Sequence, residues 1–391
     1  LYRAQNYARE ITNNSYRVNI FLELKPFKGF NYRLNTSFYN RQQEDGEVKG
    51  VNYPGGGATA KLTNNEQRNY LIENIFTYEV PIKKQQHKLT LTAVQSVDHS
   101  QTKGLGYATS DLPVDMDWNF ISNGQFSGTP TRTFSENNLV SFMGRASYIF
   151  MDRYIMNVAI RRDGSSRFGK NNKWGTFPAV GVAWTASNEE FMKNIKAISY
   201  LKLKASWGKN GNQSLSPYET LSKITLGQSG GYSYPFGNTS LVSWGQRITS
   251  MGNTDLGWEE TESFNYGFDL GVLDNRIRLE FDGYFSKTTN QIFNRNIPVM
   301  INGLTSMKAT MGRVDNWGIE VNLNTTNIQT KDFNWGSTLT FYMNRNKLKE
   351  LYGDGQDDIV NSLFLGKSLG AIYGYKNIGI VQEDDTEYIA A

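Results

Sequence analysis

Hydrophobic and polar residues alternate with a period of two in many short segments of this chain. The clearest example covers residues 154–163, where one face is apolar and the other is mostly polar: Tyr154, Met156, Val158 and Ile160 against Asn157, Ala159, Arg161 and Asp163. A period of two predicts a β-strand whose two faces meet different surroundings. We therefore expect an all-β protein.

The same alternation recurs about twelve times, and each segment is roughly ten residues long, as a membrane-spanning strand requires. The predicted strands cover residues 16–24, 30–38, 72–80, 89–97, 139–150, 154–163, 174–186, 201–207, 264–270, 277–285, 317–323 and 333–341. Residues 188–195 predict one helical turn between strands, with Glu189 and Glu190 in water. In the segment RDGSSRFG, Asp163 and Gly164 are expected to form a turn that Arg167 solvates or pairs with.

The connections between these predicted strands differ in length in a regular way. A short turn follows every odd-numbered strand, whereas longer loops follow the even-numbered ones; the longest cover about residues 99–138 and 210–257. In an up-and-down sheet, alternate connections lie on the same side, so short turns and long loops are segregated. That asymmetry is typical of outer-membrane barrels. A soluble β-sandwich is the alternative, but it has no physical reason to separate its loops by length.

The polar faces of the predicted strands carry many charges, which would be costly in a dry core. A wide lumen, either wet or plugged, solvates them and so favours a large barrel. The charged residues expected to face this lumen are Arg17, Glu23, Arg161, Asp269, Arg278, Glu280, Asp282 and Glu320.

Composition agrees with this interpretation and excludes several chemistries. Aromatic residues make up 13% of the 391 residues, which suits the aromatic girdles of a membrane barrel. The absence of cysteine excludes disulfides and thiolate catalysis. A net charge of +4 does not favour a nucleic-acid partner. His87 and His99 lie near the two ends of one predicted strand and lack a catalytic arrangement, so we predict neither an enzyme nor a cofactor or metal site.

Several motifs resemble the barrel of SusC/RagA-type TonB-dependent transporters of Bacteroidota. They are FMGRASYIFMDRYIMNVAIRRDGSSRFGKNNKWGTFPAVGVAWTASNEEF, LKLKASWGKNGNQ, WEETESFNYGFDLGVLDNRIRLEFDGYFSKTTNQI, NWGIEVNLNT, FNWGSTLTFYMNRNKL and LGKSLGAIYGYKNIGIVQ. The resemblance extends from about Leu139 onward. It implies a transmembrane antiparallel up-and-down β-barrel in the outer membrane, of which this chain holds an incomplete part, since plugged transporters use about 22 strands.

The resemblance also implies a domain organisation. Residues 1–347 would form barrel strands with long extracellular loops, and residues 348–391 would begin an extracellular segment. The N-terminal plug and the C-terminal strands of the family are not visible in this sequence, so we expect the chain to be a piece of a larger polypeptide.

The predicted function follows from the resemblance. It is TonB-dependent import of a nutrient oligomer, either glycan or peptide, across the outer membrane. The implied partners are a SusD-like surface lipoprotein, membrane lipid, and the TonB-ExbB-ExbD complex through the missing N-terminal region. A passive porin or structural barrel is the alternative.

Aromatic residues in the two longest loops are candidate substrate contacts, because aromatic faces with hydrogen bonds often hold sugars and peptides. Packing of the loops on each other or on a partner is the other explanation. These candidates are Trp118, Phe120, Tyr232, Tyr234 and Trp244.

Overall fold

The computed structural model describes residues 7–54, 57–84, 86–113, 116–226, 233–235, 242–296, 304, 306–353, 355–377 and 379. Within them, short 3-10 helices cover Trp118–Asn123, Ala186–Asn188 and Glu190–Met192. None of the helices in this part of the chain has the length and hydrophobicity needed to cross a bilayer.

Strands dominate the described residues, as the alternation predicts. In chain order they are β1 (Tyr7–Leu24), β2 (Phe30–Lys49), β3 (Thr59–Glu79), β4 (His87–Ser110), β5 (Gln125–Phe126), β6 (Thr131–Phe150), β7 (Tyr154–Ser165), β8 (Trp174–Thr185), β9 (Ile198–Asn212), β10 (Lys223–Leu226), β11 (Ser233–Pro235), β12 (Val242–Trp244), β13 (Gln246–Ser250), β14 (Glu259–Val272), β15 (Ile277–Thr289), β16 (Ile292–Asn296), β17 (Ser306–Thr310), β18 (Arg313–Gln329) and β19 (Asn334–Glu350).

One large antiparallel sheet contains the long strands in the order β1-β2-β3-β4-β6-β7-β8-β9-β14-β15-β18-β19. Each of these strands pairs with the long strand before it in the chain, so the predicted up-and-down topology is confirmed. The sheet is not closed, as expected for part of a larger barrel. Short hairpins decorate the loop side, where β10 pairs with β13, β11 with β12, and β16 with β17.

The outer face of the sheet is apolar and exposed. Cross-strand pairing places Val158 beside Ala146 and Val180, and paired residues share one face. Val158 is 42% exposed and Ile160 is 54% exposed, which a soluble core would not leave in water. Because lipid is the solvent that covers such a surface, we assign this face to the membrane and the opposite face to the lumen.

Several strands extend well beyond the predicted segments, so two predicted connections are too long. β4 contains 24 residues, or about 80 Å at ~3.3 Å per residue, whereas the apolar band of a barrel is only about 25 Å tall. The connection predicted at 99–138 shrinks to residues 111–130, and the loop between β2 and β3 covers residues 50–58. Above the membrane, water contacts both faces of the sheet. Because the two faces then meet the same solvent, apolar and polar residues no longer alternate there, although the backbones of neighbouring strands remain paired.

Two local predictions are also wrong. Asp163 and Gly164 lie inside β7, where Gly164 pairs with Val140 and Trp174, so the turn begins after Ser165.

Glu189 is buried, whereas the sequence suggests a solvated turn. The Tyr154 hydroxyl (2.6 Å), the Trp184 indole (3.2 Å) and the Arg153 guanidinium (2.9 Å) all donate to the carboxylate of Glu189. The donors come from the first residue of β7, the end of β8 and the turn before β7, and together they enclose the carboxylate.

These donors predict a pH effect on stability. The hydrogen bonds from Tyr154 and Trp184, together with Arg153, hold the pKa of Glu189 below its ordinary value. The folded state then binds fewer protons than the unfolded state, so the stabilisation is present above the ordinary pKa of about 4.3 and is lost as pH falls through the depressed pKa. We expect Glu189→Gln to remove this component when unfolding of the full-length protein is measured at acid pH. Parallel pH profiles for the two proteins would contradict it.

The topology predicts where protease reaches the protein on intact cells. Where no partner covers them, we expect cleavage within residues 111–130 or 213–258, because these connections lie on the loop side, which is extracellular in outer-membrane barrels. The turn at residues 151–153 lies on the opposite side and should be spared. Mass spectrometry of the fragments identifies the sites. Faster cleavage at 151–153 than in the loops would reverse the assigned orientation.

Candidate site at the loop roots

Three of the most completely buried large side chains in the described structure lie where the longest connection leaves and rejoins the sheet. Phe168 is 2% exposed and Leu256 is 0% exposed. We call the group the loop-root cluster; its buried members are Phe168, Phe177, Leu215, Leu256 and Trp258. Leu215 and Leu256 lie near the two ends of the long 213–258 connection, and Phe168 belongs to the neighbouring loop after β7. The cluster therefore ties two adjacent loops to the mouth of the barrel.

Ring packing fixes the centre of this cluster. The ring centroids of Phe168 and Trp258 are 4.8 Å apart, and Phe177 meets Trp258 edge-on at 5.4 Å. Phe177 is out of phase with the lipid-facing Pro178 of β8, so it lies on the lumen face. The cluster consequently sits on the inner side of the sheet at its loop end.

Arg167 supplements the cluster with polar contacts. Its guanidinium donates to the carbonyl oxygens of Gln213 (3.3 Å) and Leu215 (3.0 Å), and to Asn137 Oδ1 (3.3 Å). Ser165 Oγ adds a bond to the Gln213 side chain at 2.8 Å. The expectation that Arg167 pairs with the Asp163 region is wrong, because Arg161 occupies that carboxylate at 2.8 Å. Arg167 instead holds the first residues of the long connection.

The far end of the long connection is held just as closely. The Gly169 amide donates to the Leu256 carbonyl at 3.2 Å, and Asn172 Nδ2 donates to the Asp255 carbonyl at 2.8 Å. A Cβ atom on Gly169 would lie 1.7 Å from the Thr254 carbonyl oxygen, so only glycine permits this approach. Both ends of the 213–258 connection are thus attached to the short loop between β7 and β8.

A polar cleft of about 240 Å³ adjoins the cluster and is lined by residues that include Asn172, Asp255, Trp258 and Glu260. It is smaller than the roughly 300–1,000 Å³ typical of ligand pockets. The Asn172 amide and the Trp258 indole at this cleft already donate within the protein, to the carbonyl oxygens of Asp255 (2.8 Å) and Lys173 (3.1 Å).

The structure places the predicted aromatic residues in two separate loops. Trp118 and Phe120 belong to the 3-10 helix Trp118–Asn123, which the Asp117 carboxylate caps. Trp118 packs with the buried residues Ala58 and Ala60, and a Cβ atom on Gly46 would lie 2.4 Å from the Trp118 ring. Phe120, by contrast, is 53% exposed.

The other predicted aromatics belong to the 213–258 connection. Tyr234 lies in β11 and Trp244 in β12, where the backbones of Ser233 and Trp244 pair. Tyr232 lies outside the described residues, as do the side chains of Tyr234 and Trp244.

Charged residues on the lumen face pair with one another. Lys204 Nζ of β9 lies 3.0 Å from carboxylate oxygens of both Asp269 and Asp282, on β14 and β15. The two histidines have structural partners: His87 Nδ1 lies 2.6 Å from the Tyr148 hydroxyl, and His99 Nδ1 lies 2.6 Å from Asn138 Oδ1. Within the described ranges, no group of three or more acidic or histidine side chains is placed to hold a metal ion.

Sequence comparison identifies the family. Residues 2–377 match the family model described as TonB dependent receptor-like, beta-barrel. The chain belongs to this family. The resemblance inferred from Leu139 onward is therefore confirmed and extends over the earlier strands as well. The chain forms part of an outer-membrane receptor barrel, and the predicted localisation is confirmed.

Individual relatives agree with this assignment. The receptor barrel is 31% identical to TonB-dependent receptor P3 of Formosa agariphila over 385 residues, which is 94% of this chain and 37% of P3. It is 36% identical to TonB-dependent receptor SusC of Bacteroides thetaiotaomicron over 224 residues, which is 57% of this chain and 22% of SusC. The chain therefore spans well under half the length of these relatives.

Solved structures confirm the fold. The RagAB peptide transporter superposes with a TM-score of 0.83 over 93% of this chain and 40% of that one, at 23% identity. The ferric citrate transporter FecA superposes with a TM-score of 0.55 over 92% of this chain and 45% of FecA, at 10% identity. The receptor barrel thus shares its architecture with transporters of different cargo, so the fold does not select a substrate.

Proposed function

We propose that this chain supplies barrel strands to an outer-membrane importer that takes up a nutrient oligomer with energy from TonB. The oligomer is a glycan or a peptide, and a SusD-like lipoprotein covers the extracellular mouth. Membership of the TonB-dependent receptor family carries the proposal. TonB, with ExbB and ExbD, would act on the plug of the full-length protein and not on the strands described here.

The loop-root cluster supports a partner at the mouth. A stable protein interface buries upward of about 1,200 Å², which demands a broad surface of fixed shape. The 213–258 connection is long enough to offer such a surface, and Arg167 and Gly169 fix both of its ends. Because the ends of the connection are fixed, binding a partner orders fewer loop residues and costs less conformational entropy.

Among the aromatic candidates, Phe120 is available for substrate or partner contact because its side chain is exposed. Trp118, by contrast, is held against Gly46 and has a packing role in addition to any role in binding. Tyr232, Tyr234 and Trp244 remain proposed contacts because they belong to the connection that the partner would cover.

Co-purification tests the partner. We expect the full-length receptor, extracted in mild detergent from its native host, to carry one lipoprotein per receptor. A variant lacking residues 217–250, which keeps Leu215 and Leu256, should lose the lipoprotein and still fold. Heat-modifiable migration on a gel monitors barrel folding. A receptor that purifies alone before any change, or keeps its lipoprotein after the deletion, would contradict the proposed lid.

A further inference from the structure

Two carboxamides lie on the lipid face of the sheet, where apolar side chains are expected. Asn74 of β3 and Gln95 of β4 are register partners, in the same row as Leu34 and Phe142. The Tyr32 hydroxyl donates to Asn74 Oδ1 at 2.8 Å, and Asn74 Nδ2 donates to Gln95 Oε1 at 2.6 Å. Polar groups inside the membrane are costly and commonly mark functional positions. Within the described structure, the amide NH₂ of Gln95 makes no hydrogen bond.

Gln95 borders a groove of about 510 Å³ on this same face. Ala93 and Gly144 form its floor, and Phe76, Phe142 and Ile160 are among its walls. A Cβ atom on Gly144 would have only Ile160 Cγ2 within reach, at 4.0 Å, so the space above this glycine is open. The groove therefore has the open floor and the apolar lining that an acyl chain requires.

Arg162 lies at the loop-side end of the groove. Its guanidinium carbon sits 5.4 Å from the centroid of the Trp174 ring, and Trp174 stacks on Phe142 at 6.4 Å. In the described structure this guanidinium has no carboxylate partner. Cation–π contact orients the charge without neutralising it, so the cation stays available to an anion. Arg162 and Gln95 are two strand spacings apart, about 10 Å, and side chains of this length can reach one bound molecule.

We propose that this groove is a binding site for a phosphate-bearing lipid of the outer leaflet. Arg162 binds the phosphate, the Gln95 amide in the same row donates to an acyl carbonyl oxygen, and one acyl chain lies over Gly144 and Ala93. The charge and the amide lie side by side in one row at the loop-side end of the groove, and the apolar surface extends from that row toward the turns, as the headgroup and the chain of such a lipid require. A second copy of the barrel would present an apolar convex face and would leave Arg162 without an anion.

Lipid retention by the full-length receptor tests this site. Native mass spectrometry from detergent would compare monophosphoryl lipid A with its dephosphorylated form. We expect the phosphorylated form to be preferred, and Arg162→Gln to weaken its binding about fivefold, the equivalent of about 1 kcal/mol per basic residue at a membrane surface. Arg162→Lys should keep most of the preference. Gly144→Leu fills the open floor and should weaken both forms.

Two matched variants serve as controls. Arg345→Gln removes a basic residue in register with Trp317 on the same face of β18 and β19, and Ala146→Leu places the same leucine side chain two residues beyond Gly144. Both should leave lipid binding unchanged, and heat-modifiable migration should show that every variant folds. Equal binding of the two lipids would overturn the proposal, as would equal effects of Arg162→Gln and Arg345→Gln. A receptor dimer that Gly144→Leu dissociates, with no change in lipid binding, would overturn it in favour of a contact between copies.

Discussion

Arginine at Val158 should lower the free energy of unfolding of the full-length receptor by about 2–4 kcal/mol, the cost of that side chain at the bilayer midplane. Val158 is near the middle of β7, and its neighbours on the same face are the apolar residues Ala146 and Val180. At the depth of Val158 in the bilayer, the arginine charge would contact neither water nor an anion. Denaturant unfolding in liposomes measures the change.

Asn157→Arg is the matched control, since it places the same side chain on the lumen face one residue away. Asn157 accepts a hydrogen bond from Arg145 at 3.1 Å, so the control should lose about 1 kcal/mol for that bond and little more. If both variants cost the same, the two faces have been assigned wrongly, and the membrane interpretation of this sheet fails with them.

Gly169→Val should detach the 213–258 connection from the loop after β7. The Cβ atom would lie 1.7 Å from the Thr254 carbonyl oxygen and 2.5 Å from its carbon, both backbone atoms that cannot rotate away. The loops must separate, and Phe168 loses its contact with the Leu256 region. We expect a local cost of about 1–3 kcal/mol, the usual range for overpacking. Protease should then cut residues 213–258 much faster on intact cells.

The barrel itself should survive this change, because Gly169 lies outside the strands. Gly374→Val is a suitable control, since no atom lies within 4 Å of the position its Cβ would take. Unchanged cleavage in the Gly169 variant would mean that the loop roots are not held as described. Loss of the folded barrel would mean that the cluster supports the sheet and not only the loops.

Alternation predicted the strands only where the two faces of the sheet meet different solvents. In β7, lipid contacts Val158 and the lumen contacts Asn157, so the pattern is clear from Tyr154 to Arg161. The upper part of β4 lies above the membrane with both faces wet, and its polar residues look like a loop although their backbone pairs with β3 and β6. In this part of β4, backbone hydrogen bonds hold the strand whatever the side chains are, so the sequence shows no alternation that would predict it.

The loop-root cluster could not be predicted for a different reason. Leu215 and Leu256 are far apart in the chain and lie in segments with no periodicity, so only the folded structure brings them onto Phe168. Glu189 is a similar case, since its neighbours in sequence suggest a solvated turn, whereas its hydrogen-bond donors come from β7, β8 and the turn before β7. Trp258 opens the motif WEETESF, but nothing in the sequence indicates that its ring packs on Phe168 and Phe177.

Uptake measured with and without TonB tests the central claim most directly. Cells carrying the full-length gene would receive labelled oligosaccharides and peptides, and internal label would be followed over time. We predict accumulation of at least one class in the presence of TonB, and loss of that accumulation when TonB is deleted while the receptor remains in the outer membrane. Uptake that continues at the same rate without TonB would contradict energised import and would favour a passive pore.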